Sequence, residues 1–299
     1  LNSFFSPLFG VANLFAKGGA LARRPAVLAP RGEFSPGALA IKRWKKMPYL
    51  WLARRLQVMK KVVWQATSPN EEADIRRVAG TDARVFLAPN LGRAAGAAPP
   101  EHPGQKQAGK LRVVFLSRIS RMKNLEGAIR ILDELAGEAS LDIYGPLEDE
   151  RYWRECQKLL NSLPAAIKWR YCGEAQPENV GATLSAYDVL LLPTLGENYG
   201  HVIVEALVAG CPVLISDRTP WRSLAAAGCG WDFPLEKESQ FREALARLSL
   251  MGQAEHARMR QAAREFGLRV VTDPGHARKN SEMFLAALAA TPGRPVQAL

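Results

Sequence analysis

A chain of 299 residues that is 47% hydrophobic carries enough apolar material for about two ordinary domains. Its charged share of 23% lies close to the globular average of about 25%, which excludes wholesale disorder, and no run approaches the ~20 apolar residues of a membrane-spanning helix. The net charge of +11 suits an anionic partner, either a nucleotide diphosphate or an anionic lipid surface; nucleic acid is not expected, because no recognition motif accompanies the charge.

The opening Leu1-Asn2-Ser3-Phe4-Phe5-Ser6 lacks an initiator Met and the basic-then-apolar order of a signal peptide. Basic residues crowd the first quarter: Arg23, Arg24, Arg31, Lys42, Arg43, Lys45, Lys46, Arg54, Arg55, Lys60 and Lys61. Trp44, Tyr49, Trp51 and Trp64 interleave with them. This pattern reads either as a solvated basic face or as a patch for peripheral contact with a membrane surface. Residues 25–30 and 60–67 are predicted strands, the first ending in the loop Arg31-Gly32-Glu33. Thr67 or Ser68 then caps a helix with early acids, Glu71, Glu72 and Asp74. A third strand covers 84–88. Residues 93–109, rich in Gly, Ala, Pro, Gln and Lys, mark a linker. It separates a domain over 1–92 from one over 110–274, with a last helix over 275–299.

After the linker the pattern becomes regular. Strands are predicted over 111–116, 140–144, 167–171, 189–192 and 213–216. Helices are predicted over 124–135, 148–162, 180–186, 200–209, 237–249 and 254–266, with a helical turn over 221–227. Alternating strands and helices give an α/β fold with a doubly wound parallel sheet, and the short apolar runs suit strands buried on both faces. Cys156, Cys172, Cys211 and Cys229 share no metal-ligand spacing, which favours a reducing cytosol and no metal site.

Ligands of such sheets sit beyond the carboxyl ends of the strands, so three loops there carry the chemistry. In Leu116-Ser117-Arg118-Ile119-Ser120-Arg121-Met122-Lys123-Asn124, Arg118 and Lys123 offer two cations to a pyrophosphate. In Tyr144-Gly145-Pro146, Gly145 permits a turn or a close backbone approach. The third loop runs Leu192-Pro193-Thr194-Leu195-Gly196-Glu197-Asn198-Tyr199-Gly200-His201 and continues into a helix holding Glu205. The first N–H groups of that helix, from Tyr199, Gly200 and His201, would form an anion site. Eight residues of continuous helix would rotate Glu205 about 80° away from Glu197, whereas a loop followed by a helix lets both carboxylates reach one ligand.

The stretch from Glu197 to Glu205, followed by Ala206-Leu207-Val208-Ala209-Gly210-Cys211-Pro212-Val213-Leu214, resembles the E-x7-E signature of the family 4 (group 1) glycosyltransferases. Pro30-Arg31-Gly32-Glu33 and Ala66-Thr67-Ser68 resemble lipopolysaccharide-type members of that group. The resemblance implies a GT-B fold of two Rossmann-like domains, the second holding the donor and the last helix returning toward the first. It implies a bacterial enzyme of lipopolysaccharide or other cell-surface polysaccharide synthesis that transfers a hexosyl group with retention. The donor is a nucleotide-diphosphate sugar, and neither cofactor nor metal is needed. The acceptor is a saccharide or lipid-linked, and the enzyme is cytoplasmic or at the inner face of the membrane. By the same likeness Arg118 and Lys123 hold the diphosphate, Glu205 the ribose, and Glu197 with Asn198 the donor sugar. The loop Tyr171-Cys172-Gly173-Glu174 lies near the base, Gly145 lines the donor site, and Arg31 and Glu33 are acceptor-side candidates.

Two departures shape the expectation. The opening strand of a first Rossmann-like domain is missing, and none of the four histidines (His102, His201, His256 and His276) falls within residues 1–92. The first domain is therefore read as incomplete, with Gln65 as its polar strand-end residue. A nucleotide-sugar-binding fragment without turnover is the competing reading.

Overall fold

A computed structural model describes residues 1–6, 25–40, 43–90 and 104–289. Arg23, Arg24, Lys42 and residues 93–103 of the predicted linker lie outside them. The chain divides into two compact units, Leu1–Leu91 with Asp273–Leu299, and Gly92–Thr272.

In the first unit, β1 (Val27–Leu28), α1 (Pro36–Ala40), α2 (Arg43–Arg55), β2 (Val63–Ala66), α3 (Pro69–Ala79) and β3 (Val85–Leu87) follow in order. The strands form a parallel sheet in the order β1-β2-β3. Ser68 caps α3 by accepting from the Glu71 N–H at 3.2 Å, Pro69 opens it, and Glu71 and Glu72 face its positive end. The strand expected over 60–67 is shorter than predicted, because Val58–Lys61 forms a 3-10 turn. The indole N–H of Trp64 donates to the Met59 carbonyl at 3.2 Å and holds that turn against β2. Phe4, Phe34 and Trp64 are fully buried in this unit's core.

The second unit holds β4 (Lys110–Leu116), α4 (Leu125–Asp133), β5 (Glu138–Tyr144), α5 (Glu150–Ser162), β6 (Ile167–Tyr171) and α6 (Val180–Ser185). It continues through β7 (Val189–Leu192), α7 (His201–Val208), β8 (Val213–Ser216), β9 (Gly230–Phe233), α8 (Glu238–Leu250) and α9 (Gln253–Val271). Its six parallel strands lie in the order β6-β5-β4-β7-β8-β9. Strand order thus reverses between β4 and β7, the place where open α/β sheets form their ligand crevice. Every residue of β7 and β8 is buried, as their unbroken apolar runs require.

Two details correct the sequence reading. Edge strand β9 was not predicted, and the helical turn expected over 221–227 is confined to its second half, where the Ala227 N–H donates to the Ser223 carbonyl at 3.1 Å. The N–H groups of Ser223 and Leu224 donate instead to the Asp232 carboxylate, at 3.3 and 3.0 Å, and Ser223 takes φ +60°.

Helix α9 grips α7. A Cβ on Gly267 would stand 2.5 Å from the Val208 nitrogen, so only glycine lets the two backbones approach this closely. Arg264 donates to the Val208 carbonyl at 2.9 Å, closing the end of α7, and Arg260 donates to the carbonyls of Tyr187 and Ser185, each at 2.9 Å. The chain then ends its described course in α10 (Pro274–Ala289), which belongs to the first unit. There Met283 and Ala287 bury themselves against Val63 and Ala88, and Asn280 donates to the Pro89 carbonyl at 2.9 Å.

Candidate functional site

The loops after β4 and β7 meet at the point where strand order reverses. The Met122 carbonyl accepts from the Leu195 N–H at 2.9 Å and from the Thr194 hydroxyl at 3.0 Å. Asn124, in the left-handed conformation at φ +56°, accepts from the Gly127 N–H at 3.1 Å and thereby caps α4. Its amide nitrogen reaches across to the Pro193 carbonyl at 2.8 Å. The β8 edge joins in: the Ser216 hydroxyl donates to the Thr194 carbonyl at 2.5 Å, and the Glu197 N–H donates to the Arg218 carbonyl at 2.9 Å.

Held by this lattice, the Lys123 ammonium and the Glu197 carboxylate form a direct ion pair, with side chains only 10% and 12% exposed. The sequence places these residues 74 positions apart. Two opposite charges so nearly removed from water need each other, because an uncompensated charge at this depth carries a heavy desolvation cost. The pair lies at the edge of the sheet where the loops after β4, β7 and β8 meet.

The other predicted residues stand around the pair in different states. Arg118 meets Glu148 at 2.7 Å in a pair exposed by 56% and 48%, a contact that costs little to exchange in water. Gly145 has φ +136°, and a Cβ there would lie 1.9 Å from the Ser117 carbonyl oxygen. The glycine packs the end of β5 onto the loop that carries Arg118. Its N–H donates to the Gly173 carbonyl at 2.8 Å, bringing in the loop after β6, where Gly173 takes φ +74° and Glu174 is exposed. Nearby, the Tyr187 hydroxyl donates to Asp142 at 2.7 Å and Arg170 meets the same carboxylate at 2.6 Å. Burial pushes the Tyr187 phenol up and keeps it a donor.

Before α7 the chain turns through Gly200 at φ +75°, a conformation that glycine adopts without strain. Asn198 and Glu205 are half-buried, His201 is exposed, and the Tyr199 ring lies 4.8 Å from the His201 ring and 5.3 Å from Trp221. The Trp221 indole N–H donates to the Tyr199 carbonyl at 2.5 Å. Glu205 lies in the second turn of α7, so Glu197 and Glu205 follow the arrangement of a loop and then a helix.

The first-unit candidates have structural partners. Glu33 accepts from the Ser3 hydroxyl at 2.6 Å and from the N–H groups of Phe4 and Phe5 at 2.5 and 3.2 Å. It anchors the N-terminal segment over Phe34. Arg31, in the left-handed region at φ +53°, reaches the side-chain oxygens of Asn90 and Asn2. Gln65 is buried and donates to the Ala88 carbonyl at 2.9 Å.

Sequence reasoning missed Thr194, Ser216, Arg218 and Trp221. Their signal was available: Ser216-Asp217-Arg218-Thr219-Pro220-Trp221 follows a buried strand at the same edge and forms a fourth loop of the site. Among the described residues no cluster of three or more His, Cys, Asp or Glu side chains could hold a metal ion. Cys156, Cys211 and Cys229 are buried free thiols, pushed up to about 11, 12 and 11 by burial.

Comparison with known proteins adds the family. The chain is 29% identical over 136 residues to a phosphatidyl-myo-inositol mannosyltransferase of Mycobacterium leprae, covering 43% of this chain and 34% of the relative. It is also 29% identical over 102 residues to the sulfoquinovosyl transferase SQD2 of Arabidopsis thaliana, covering 34% of this chain and 18% of that one. The matched stretch thus spans about a third or less of either relative. Among solved structures, Anabaena HepE in complex with UDP-glucose superposes with a TM-score of 0.73 at 18% identity, over 93% of this chain and 76% of HepE. WaaG, a glycosyltransferase involved in lipopolysaccharide biosynthesis, superposes with a TM-score of 0.66 at 17% identity, over 91% of this chain and 76% of WaaG. The fold is that of these GT-B glycosyltransferases. The sequence profile of the family described as glycosyl transferases group 1 matches residues 101–266. That match spans more than half of the chain and contains the whole switch-point site, and the protein belongs to the glycosyl transferases group 1 family.

Proposed function

We propose that this protein transfers a hexosyl group, with retention, from a nucleotide-diphosphate sugar to a saccharide or lipid-linked acceptor in the manner of family 4 enzymes. The carrying observation is the shielded Lys123–Glu197 pair at the switch point of a group 1 sheet. The printed names of the relatives support sugar transfer, and HepE with UDP-glucose supports a nucleotide-sugar donor.

In this reading the anomeric C–O bond to the diphosphate breaks as the acceptor oxygen bonds to the same face of the sugar. The nucleotide leaves with the electron pair, and its phosphate oxygen takes the proton that the acceptor hydroxyl gives up. Lys123 and Arg118 offset the charge growing on the leaving phosphate, preorganised cations being worth most where water is excluded. Glu197, freed from Lys123 by the incoming phosphate, accepts from donor-sugar hydroxyls beside Asn198. The turn through Tyr199, Gly200 and His201 brings the positive end of α7 to the phosphate or sugar. Glu205 accepts from the ribose, while Gly145, Gly173 and Glu174 border the base. No cofactor or metal takes part in this scheme, and the proposal puts the enzyme in the bacterial cytoplasm or at the inner face of the membrane. A role in cell-surface polysaccharide synthesis is part of the same proposal.

Titration calorimetry with UDP, GDP, UDP-glucose and a wider nucleotide-sugar panel tests it. Lys123→Ala is expected to weaken binding of the preferred donor by about 30- to 150-fold, the equivalent of a lost charge-assisted hydrogen bond of about 2–3 kcal/mol. Normal affinity in Lys123→Ala and in Glu205→Ala alike would sink the site assignment. Binding without product across an acceptor panel would move the protein to the competing reading, a nucleotide-sugar-binding module.

A further inference from the structure

The segment from Leu195 to Gly200, which carries the proposed donor residues Glu197 and Asn198, belongs to neither a helix nor a strand, so its shape depends on ties to its neighbours. Every second residue supplies one. The Leu195 N–H donates to the Met122 carbonyl and the Glu197 N–H to the Arg218 carbonyl, each at 2.9 Å. The Tyr199 carbonyl accepts from the Trp221 indole N–H at 2.5 Å. The first two ties join backbone groups, which every residue but proline supplies in full. The third runs through a side chain, and it alone of the three depends on which residue stands at position 221.

Trp221 is itself firmly seated. It is buried, and its ring meets the Tyr199 ring edge-on at 5.3 Å. Gly200 leaves the indole its space, since a Cβ there would stand 3.3 Å from the indole nitrogen. The backbone N–H of Trp221 donates to the buried Thr219 hydroxyl at 3.2 Å. Beyond it, the contacts of Ser223 and Leu224 with Asp232 pin the segment to β9. A buried indole N–H is normally paired. Here its acceptor is the carbonyl of the residue just before Gly200, the N-cap of α7.

That choice of acceptor has a geometric consequence. Across a trans peptide the carbonyl and the next N–H point in opposite directions in one plane, and the Tyr199–Gly200 peptide is not cis. Fixing the Tyr199 carbonyl on Trp221 therefore aims the Gly200 N–H the other way. With Glu197 held through its own N–H on Arg218, the two ties bracket Asn198 and settle the backbone from which Glu197 and Asn198 project.

We propose that Trp221 is a positioning residue for the sugar half of the donor. By holding the Tyr199 carbonyl it presents Glu197, Asn198 and the Gly200 N–H to the hexosyl group, acting through the turn and not on the reacting atoms. This inference rests on the donor reading above, and its test tells the two apart. Affinities for UDP and UDP-glucose, or for the matching pair of the preferred donor, are measured in the parent and in Trp221→Phe. They are measured also in a protein with benzothienylalanine replacing Trp221, which keeps the shape of the indole and puts sulfur in place of its N–H. In both variants the nucleotide-sugar is expected to bind about 5- to 15-fold more weakly, as for the loss of one hydrogen bond to a buried acceptor. UDP, held by Arg118, Lys123 and Glu205 in the proposed scheme, is expected to bind as before, with circular dichroism unchanged. In the ligand-free proteins amide hydrogen exchange over residues 197–204 is expected to quicken, because the turn has lost a tie. Equal weakening of UDP and nucleotide-sugar, or affinity and exchange that match the parent, overturns the inference and leaves the donor reading standing. A parent that binds no nucleotide-sugar overturns both.

Discussion

At the edge of the first sheet Glu71, 3% exposed, accepts from the Gly32 N–H and from both the N–H and the hydroxyl of Thr67, each at 2.8 Å. At the edge of the second sheet Glu197, similarly shielded, pairs with the Lys123 ammonium. Both acids follow a buried parallel strand, and both lie near the start of the next helix. They differ in what they hold. Glu71 ties the loop after β1 to the start of α3, and removing it leaves buried donors without partners. Glu197 faces the single ammonium of Lys123, and in the proposed mechanism a phosphate comes to Lys123 and donor-sugar hydroxyls to Glu197. An acid engaged by several backbone amides belongs to the fold, whereas an acid engaged by one lysine is available to a ligand.

The largest blow to this contrast comes from Gly145→Ala. Its Cβ would meet the Ser117 carbonyl at 1.9 Å in a backbone conformation at φ +136°. A loss of about 4 kcal/mol or more is expected, visible as a collapse of the thermal midpoint, with donor binding lost alongside. A stable Gly145→Ala protein would show that the loops after β4 and β5 are not held as tightly as their geometry implies.

The contrast is sharpened by exchanging the two acids in turn. Glu71→Gln is expected to cost about 1–3 kcal/mol in denaturant unfolding, because an amide cannot accept from all three donors, and to leave nucleotide-sugar affinity unchanged. Glu197→Gln leaves the shielded Lys123 ammonium without its counter-charge and is expected to cost about 1–3 kcal/mol, the amide oxygen still accepting from Lys123. Unlike Glu71→Gln, it is expected to lose donor turnover. The opposite pattern would reverse the roles assigned to the two edges.

The smallest effect belongs to Tyr199→Phe. The Tyr199 hydroxyl is buried without a hydrogen-bond partner among the described residues, and burial pushes its pKa up, so it stays neutral. Replacing it by hydrogen is expected to be neutral or slightly stabilising. A loss beyond about 1 kcal/mol, the net worth of an ordinary hydrogen bond, would reveal a partner for that hydroxyl.

The second sheet was legible in the sequence because buried parallel strands leave continuous apolar runs such as Val189-Leu190-Leu191-Leu192. Strand β9 was not, since Gly230-Trp231-Asp232-Phe233 is short and mixes polar with aromatic residues at an edge. Helix α2 escaped notice for a related reason: Trp44, Met47 and Trp51 face outward and blur the period that Leu50 and Ala53 would set, with Pro48 inside the helix. The charges of the site could be read one by one, and the E-x7-E spacing pointed to their loop. That Lys123 finds Glu197 could not be read, because the pairing depends on the reversal of strand order that brings β4 beside β7. The structural use of Glu33 was equally hidden, since its partners Ser3, Phe4 and Phe5 lie 28–30 residues away.

The carbonyl of Met122, which accepts from both Thr194 and Leu195, bears on how such a protein can diversify. It couples the lengths of two loops that the sequence keeps far apart. An insertion in either one shifts Met122 or Leu195 out of register and pulls Lys123 from Glu197, so neither loop can grow alone. The exposed stretch after Gly173, bordering the proposed base, lies outside the Met122 tie, and new specificity grafted there would leave the ion pair in place.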